Sequence, residues 1–192
     1  MTTRLDGDAR FGTPCESWQL QVGLDGATDL IAAQAQFDAA AFHVVPAAAL
    51  HVTVLPLIDA AETFPTAKSL LWDRHGPDWQ AAIALACMRL RPFRLRFTRL
   101  RVDARAVIAM DEANPFAALR RDLAGACALP QRPVRMPDIT HVTLLRARRA
   151  SVAPLPDRPP TVAAEIPVTR LRLVRETVFP TLAFEILAEF VL

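Results

Sequence analysis

The strongest constraint on how this chain folds is a five-residue motif that occurs twice, ninety positions apart: His51-Val52-Thr53-Val54-Leu55 and His141-Val142-Thr143-Leu144-Leu145. Two of the four histidines in the chain therefore share one context. Chance recurrence of His, Val, Thr and Leu has odds on the order of a few in a thousand, so duplication is the better explanation. A duplicated chain builds one unit twice, and the flanks repeat as well. Residues 17–24 alternate Trp18, Leu20 and Val22 with Gln19 and Gln21, the pattern of a strand; residues 28–42, with Ile31, Ala35 and Phe42, read as a helix that Pro46 closes before the first motif strand. In the second copy residues 105–110 read as a strand. Asn114 is placed to cap a helix with Pro115 at its first position, running through Leu119 and Leu123 to 128, and Pro130, Pro133 and Pro137 lead into the second motif strand.

Between the copies, residues 77–90 read as a further helix. Residues 93–102 read as a strand in which Arg94 and Arg96 face away from Phe93, Leu95 and Phe97, with a bulge near Thr98. Residues 151–160 read as a proline-rich loop, and 166–175 with 181–191 as a closing hairpin. The expected class is α+β, with two related lobes side by side. Residues 1–14 are expected as a flexible N-terminal tail and 15–192 as a single bilobal domain.

Composition excludes several functions. With 52% apolar and 22% charged residues the chain is globular, and no apolar run reaches the roughly 20 residues of a membrane helix. The N-terminus lacks an apolar signal core, so the expected compartment is the cytoplasm. Cys15, Cys87 and Cys127 form neither a CxxC nor a Cys/His cluster, which argues against a disulfide scaffold or a structural zinc. The six glycines fall in no nucleotide-binding loop, and no serine sits in a GxSxG elbow. Charge is uneven: residues 1–88 hold four basic and ten acidic residues, residues 89–192 eighteen and ten, a bias that suits a phosphate-bearing partner.

In a strand, side chains i and i+2 share a face. His51 and Thr53 therefore project together over Val52 and Val54, and His141 and Thr143 over Val142 and Leu144. If a pseudo-twofold axis relates the units, two imidazoles and two hydroxyls converge on one cleft. That set suits in-line attack at phosphorus with no metal and no cofactor. A neutral imidazole takes a proton from the incoming oxygen, a protonated one delivers a proton to the leaving oxygen, and each role is worth roughly 10²–10⁴ in rate. The threonines donate to the non-bridging oxygens, whose charge grows in the transition state.

Paired HxTx motifs, each following a strand and a helix, resemble the 2H phosphoesterase superfamily, and in detail its RNA 2′,3′-cyclic phosphodiesterase branch, also called 2′-5′ RNA ligase. The resemblance spans nearly the whole chain: residues 46–55 resemble the first motif, 141–146 the second, and 168–175 with 179–192 the final strand pair. It implies a duplicated two-lobe fold of mostly antiparallel sheets, with helices outside and a central cleft. It also implies His51 and His141 as general acid and base, Thr53 and Thr143 as phosphate ligands, and Arg146 at a basic position just after the second motif. Strict alternation points Arg146 away from His141 and Thr143, so it reaches the cleft only where the strand ends or twists.

The implied reaction is metal-independent hydrolysis of a 2′,3′-cyclic phosphate, on RNA ends or small nucleotides, to a 2′-phosphate, with 2′-5′ ligation as its reverse. Both halves of the site lie in one chain, so a monomer is expected. The sequence departs from the family at Pro56-Leu57-Ile58-Asp59, where an aromatic, a leucine and a glycine are usual. It departs again at Arg175-Glu176 and Phe179, where a small hydroxyl residue and a tyrosine are usual; base stacking then falls to Phe or Trp. Other readings stay open: a 2H enzyme on another small cyclic or 2′,5′-linked phosphodiester, a non-catalytic RNA-binding module, and a metallohydrolase, which the lack of carboxylates at ligand spacing disfavours.

Overall fold

The computed structural model describes residues 2–129, 134–154 and 160–192. Along these the chain runs β1 (Thr2–Asp6), β2 (Pro14–Gly23), α1 (Thr28–Gln34), β3 (Phe42–Val44), a 3-10 turn (Ala47–Ala49), β4 (His51–Ile58) and α2 (Lys68–Cys87). It continues through β5 (Phe93–Phe97), β6 (Arg99–Val102), β7 (Ala106–Asp111), α3 (Ala117–Ala126), β8 (Thr140–Ala147), β9 (Ala150–Pro154), β10 (Ala164–Val168), β11 (Arg170–Val178) and β12 (Ala183–Val191). The fold is α+β and its paired strands are antiparallel. One large sheet has the order β12-β11-β2-β4-β8-β7-β6 with β3 also on β8, and β1-β9 and β10-β5 form two small sheets.

The duplication is visible in this order. β2-α1-β4 and β7-α3-β8 are the two copies, and they join through the motif strands, where Val52 pairs with Val142. Both copies also carry the same irregularity. Gln21 pairs with Thr53 but Leu20 with Leu55; Ile108 pairs with Thr143 but Val107 with Leu145. Val54 and Leu144 are thus extra residues, a bulge at the fourth position of each motif. Beyond it the alternation reverses. Val54 and Leu55 are both buried, as are Leu144 and Leu145, and Pro56 and Arg146 swing to the face that carries His and Thr. Proline is tolerated there because a bulged strand needs no regular ladder N–H.

The buried face of this sheet is apolar: Leu20, Val22, Val52, Val54, Val107, Ala109, Val142 and Leu144 sit in one core. Truncating a leucine of this kind to alanine costs about 2–5 kcal/mol. That packing holds the pleat, and the pleat presents the opposite, polar face.

Several elements differ from the sequence expectation for physical reasons. The helix expected over 28–42 ends at Gln34, whose side chain reaches out to the Val45 and Leu144 carbonyls; Asp38 then caps the Ala40 N–H, and Phe42 enters β3. The helix expected from Pro77 begins at Lys68 and keeps Pro77 in its interior. Trp72 stacks on the buried Trp18, centroids 5.6 Å apart, and lies so close over Gly76 that a Cβ there would come within 2.8 Å of its ring. Tertiary packing of this first half of α2 outweighs the hydrogen bond that proline removes. Asn114 does not cap α3: it adopts a positive φ of 47°, and Phe116 stands at the cap position.

The strand expected over 93–102 breaks at Thr98, so that β5 joins β10 and β6 joins β7. The run 166–175 likewise splits between β10 and β11, and β11 with β12 forms the expected hairpin. Residues 151–154 of the expected loop belong to strand β9, which begins at Ala150; residues 155–159 lie outside the described residues, as do Pro130 and Pro133. The segment 1–14, expected as a tail, contributes β1 to a pair with β9 and buries Asp8. Among the described residues no helix is long and apolar enough to cross a membrane.

Candidate active site

The polar face of β2, β4 and β8 floors a cleft open to solvent. His51, Thr53, His141, Thr143 and Arg146, the residues singled out from the sequence, all line it, together with Gln19, Glu176, Phe179 and Thr181. Extending the Val52–Val142 register by one residue each way sets His51 across from Thr143 and Thr53 across from His141. The two histidines thus occupy one diagonal of the site and the two threonines the other.

Each imidazole is held by the carbonyl two residues before it. His51 Nδ1 lies 2.8 Å from the Ala49 oxygen, at the end of the 3-10 turn that Pro46 opens. A carbonyl only accepts, so Nδ1 carries the hydrogen and Nε2 keeps its lone pair. Thr181 Oγ1 stands 3.5 Å from that Nε2. The His141 ring is bonded to the Ile139 carbonyl, the same offset in the second copy.

Burial pushes the His51 pKa down from 6.5 to about 4; the Ala49 bond opposes this, and Arg146 and His141 add to it. His141 is pushed down as well, by burial first and then by the positive charges of Arg146, Arg101 and Arg120, against its bond to Ile139. Both rings are therefore neutral at pH 7 in the free protein, ready to accept a proton. An anion between them would raise both pKa values.

Arg146 reaches the cleft because of the bulge at Leu144, which supplies the irregularity that strict alternation lacked. Its Nη1 donates to Asp8 Oδ2 at 3.2 Å, and its guanidinium carbon lies 5.3 Å from the Phe179 ring centroid. Arg10 approaches the same ring at 4.3 Å. The Arg146 Nε is buried with no hydrogen-bond partner among the described residues. Arg148 instead donates to the Phe42 carbonyl at 2.8 Å and so holds the turn before β3.

A polar network underlies the floor. Thr53 Oγ1 donates to Gln19 Oε1 at 3.1 Å, and Gln19 Nε2 donates to Thr181 Oγ1 at 3.1 Å. Glu176 accepts from Ser17 Oγ at 2.9 Å and from the Thr181 N–H. Burial pushes the Glu176 carboxyl up, against those bonds. Gln19, Glu176, Thr181 and Asp8 were not singled out from the sequence. Gln19 carried a signal, as a polar position of an alternating strand that pairs with a motif strand. Glu176 comes to the cleft by pairing with Ser17, on the Gln19 face of β2, a long-range register that no local pattern announces. Among the described residues no group of three or more His, Cys, Asp or Glu side chains is placed to hold a metal ion.

A duplicated antiparallel sheet whose two HxT strands meet about a pseudo-twofold, with both histidines and both threonines in one cleft, defines a 2H phosphoesterase. Residues 22–178 match the 2′-5′ RNA ligase superfamily, and the chain belongs to that family. Among solved structures it is similar to TT0787 of Thermus thermophilus, with 26% identity, coverage of 92% of this chain and 97% of that one, and a TM-score of 0.67. It shares its fold with E. coli LigT complexed with phosphate, at 19% identity, coverage of 93% and 98%, and a TM-score of 0.56. The same holds for a structure described as a phosphoesterase, at 20% identity, coverage of 92% and 98%, and a TM-score of 0.57. No curated protein sequence matches the chain.

Proposed function

We propose that this 2H phosphoesterase is a metal-independent cyclic phosphodiesterase that opens a 2′,3′-cyclic phosphate, on an RNA end or a nucleotide, to a 2′-phosphate. The observation that carries the reading is the crossed placement of His51 with Thr143 and His141 with Thr53 in one cleft, with the Nδ1–Ala49 bond keeping the His51 Nε2 lone pair as the acceptor on the cleft side. The phosphate sits between the diagonals. Water attacks phosphorus in line with the 3′-oxygen; one neutral imidazole takes the water proton, and the other, protonated, gives its proton to the departing 3′-oxygen. A P–O bond to water forms, the P–O3′ bond breaks, and a 2′-phosphate and a free 3′-hydroxyl remain.

The negative charge of the bound phosphodiester supports the protonated imidazole, offsetting the depression that burial causes in the free cleft. Thr143, the Arg146 guanidinium and Thr53, its hydroxyl turned from Gln19, donate to the non-bridging oxygens. Phe179, where the family usually carries tyrosine, offers an aromatic face to a base. Ligation uses the same groups with a ribose 5′-hydroxyl in place of water. Both halves of the site come from one chain, so it works as a monomer.

The test is incubation of the protein with a nucleoside 2′,3′-cyclic phosphate and with a short RNA ending in one, in excess chelator, with the product isomer read by phosphorus NMR. Chelator-resistant formation of the 2′-phosphate is the expected result. Turnover that chelator abolishes, or no turnover of either substrate, overturns the reading.

A further inference from the structure

The site's two halves are joined by few backbone bonds. The β4–β8 ladder contains the single pair Val52–Val142, whereas β7 and β8 pair over six residues. The separation between Thr53 and His141, which face each other across that junction, is therefore set by more than the sheet.

A buried side-chain network spans the same gap. Arg120, on α3 and 2% exposed, directs its guanidinium at neutral oxygens. Nε donates to the Val54 carbonyl at 2.9 Å, Nη2 to the Thr53 carbonyl at 3.2 Å, and Nη1 to Asn114 Oδ1 at 2.7 Å. Asn114 Oδ1 also accepts from Thr140 Oγ1 at 2.8 Å, and its Nδ2 donates to the Asp138 carbonyl at 3.1 Å. The network thus begins at the backbone of Thr53 and ends on both sides of Ile139, whose carbonyl holds the His141 ring.

The pseudo-symmetric position is filled differently. Gln34, at the end of α1, donates to the Leu144 and Val45 carbonyls at 2.9 and 2.8 Å. Each helix thus serves the bulge of the opposite copy, but only Arg120 goes on to reach the second motif. Three nitrogens in a rigid planar fork meet three fixed oxygens, a geometry that lysine, a point charge on a flexible stem, does not reproduce. Burial lowers the Arg120 pKa to about 10, so it stays charged at neutral pH.

We propose that Arg120, acting through Asn114 and Thr140, is a positioning residue that sets the separation of Thr53 from His141 and so aligns the phosphate between the two halves of the site. This rests on the cyclic phosphodiesterase reading. A buried arginine that only stabilises the core would leave the chemistry of the folded protein unchanged, and the test separates the two.

The full chain carrying Arg120→Lys, Thr140→Val or both is compared with the wild type by thermal unfolding, by kcat and KM on a nucleoside 2′,3′-cyclic phosphate, and by the NMR signals of the four imidazoles. In folded Arg120→Lys, kcat falls about tenfold or more with KM within about threefold, the split expected for lost alignment. Thr140→Val acts in the same direction, and the double variant is no worse than Arg120→Lys. The imidazole signals of His51 and His141 shift while those of His43 and His75 stay. Wild-type kcat in folded Arg120→Lys, a loss that only tracks the folded fraction, or independent effects in the double variant overturns the proposal. If Arg120→Lys does not fold, an unchanged kcat and His141 signal in Thr140→Val overturns it. If the wild type turns nothing over, the cyclic phosphodiesterase reading fails, and the imidazole signals still decide whether the network positions His141.

Discussion

Val52 and Val142 stand opposite each other in antiparallel register, each between the histidine and the threonine of its own copy of the motif. A local twofold axis passes between them, so the histidine and threonine that one copy supplies the other supplies from the opposite side. The hydroxyls of Thr53 and Thr143 are equivalent under that axis. Thr53→Val and Thr143→Val, which keep the shape and remove the donor, are each expected to lower kcat by roughly 10²–10³ with little change in KM, as for the loss of one donor to a developing oxyanion. Steady-state kinetics on a nucleoside 2′,3′-cyclic phosphate checks this; an effect confined to KM would place the threonines in ground-state binding.

Arg146 and Asp8 yield two shifts of opposite sign. Arg146→Gln removes a cation from the cleft, and KM is expected to rise on the order of 10- to 100-fold, the scale of one or two charge-assisted bonds. Asp8→Asn removes the carboxylate that lies 3.2 Å from that guanidinium, so Arg146 faces the substrate with its full charge and KM falls. Asp8 is also buried, so the same variant loses thermal stability. Parallel KM shifts in the two variants would contradict the assignment.

The depressed histidine pKa values make stability depend on pH. The unfolded chain binds a proton at His51 near 6.5, and the folded chain refuses it until about 4. Between those values the unfolded state holds more protons, so stability is lost as pH falls through that window. In urea unfolding, His51→Gln should lose less stability than the wild type between pH 7 and pH 4.5. Identical pH dependence in the two proteins would show that His51 titrates normally.

The same shifts bear on turnover. The pH profile of kcat/KM reports the free protein and that of kcat the substrate complex. The bound phosphodiester raises the pKa of the imidazole that must be protonated, so kcat is expected to persist to higher pH than kcat/KM. Superimposable profiles would mean that no anion sits beside the acid.

The motif strands, their shared face and the four His and Thr side chains were legible because repetition and period-two alternation are local properties. The bulges were legible in principle: Val54-Leu55 and Leu144-Leu145 are apolar doublets that break the alternation at the same place in both copies. They explain how Arg146 enters the cleft. The first half of α2 was hidden behind Gly76-Pro77, which reads as a boundary until Trp72 is seen packed on Trp18. Glu176 pairs with Ser17 across 159 residues and Asp8 with Arg146 across 138, so their places depend on tertiary contacts that no short segment contains.

The central claim is that the two histidines are the acid and the base, and its most direct test is turnover of a nucleoside 2′,3′-cyclic phosphate in excess chelator by wild type, His51→Ala and His141→Ala. Loss of roughly 10² or more in kcat in each folded variant is the predicted result. Activity that survives both substitutions would contradict the account and leave the repeated motif a structural remnant of duplication.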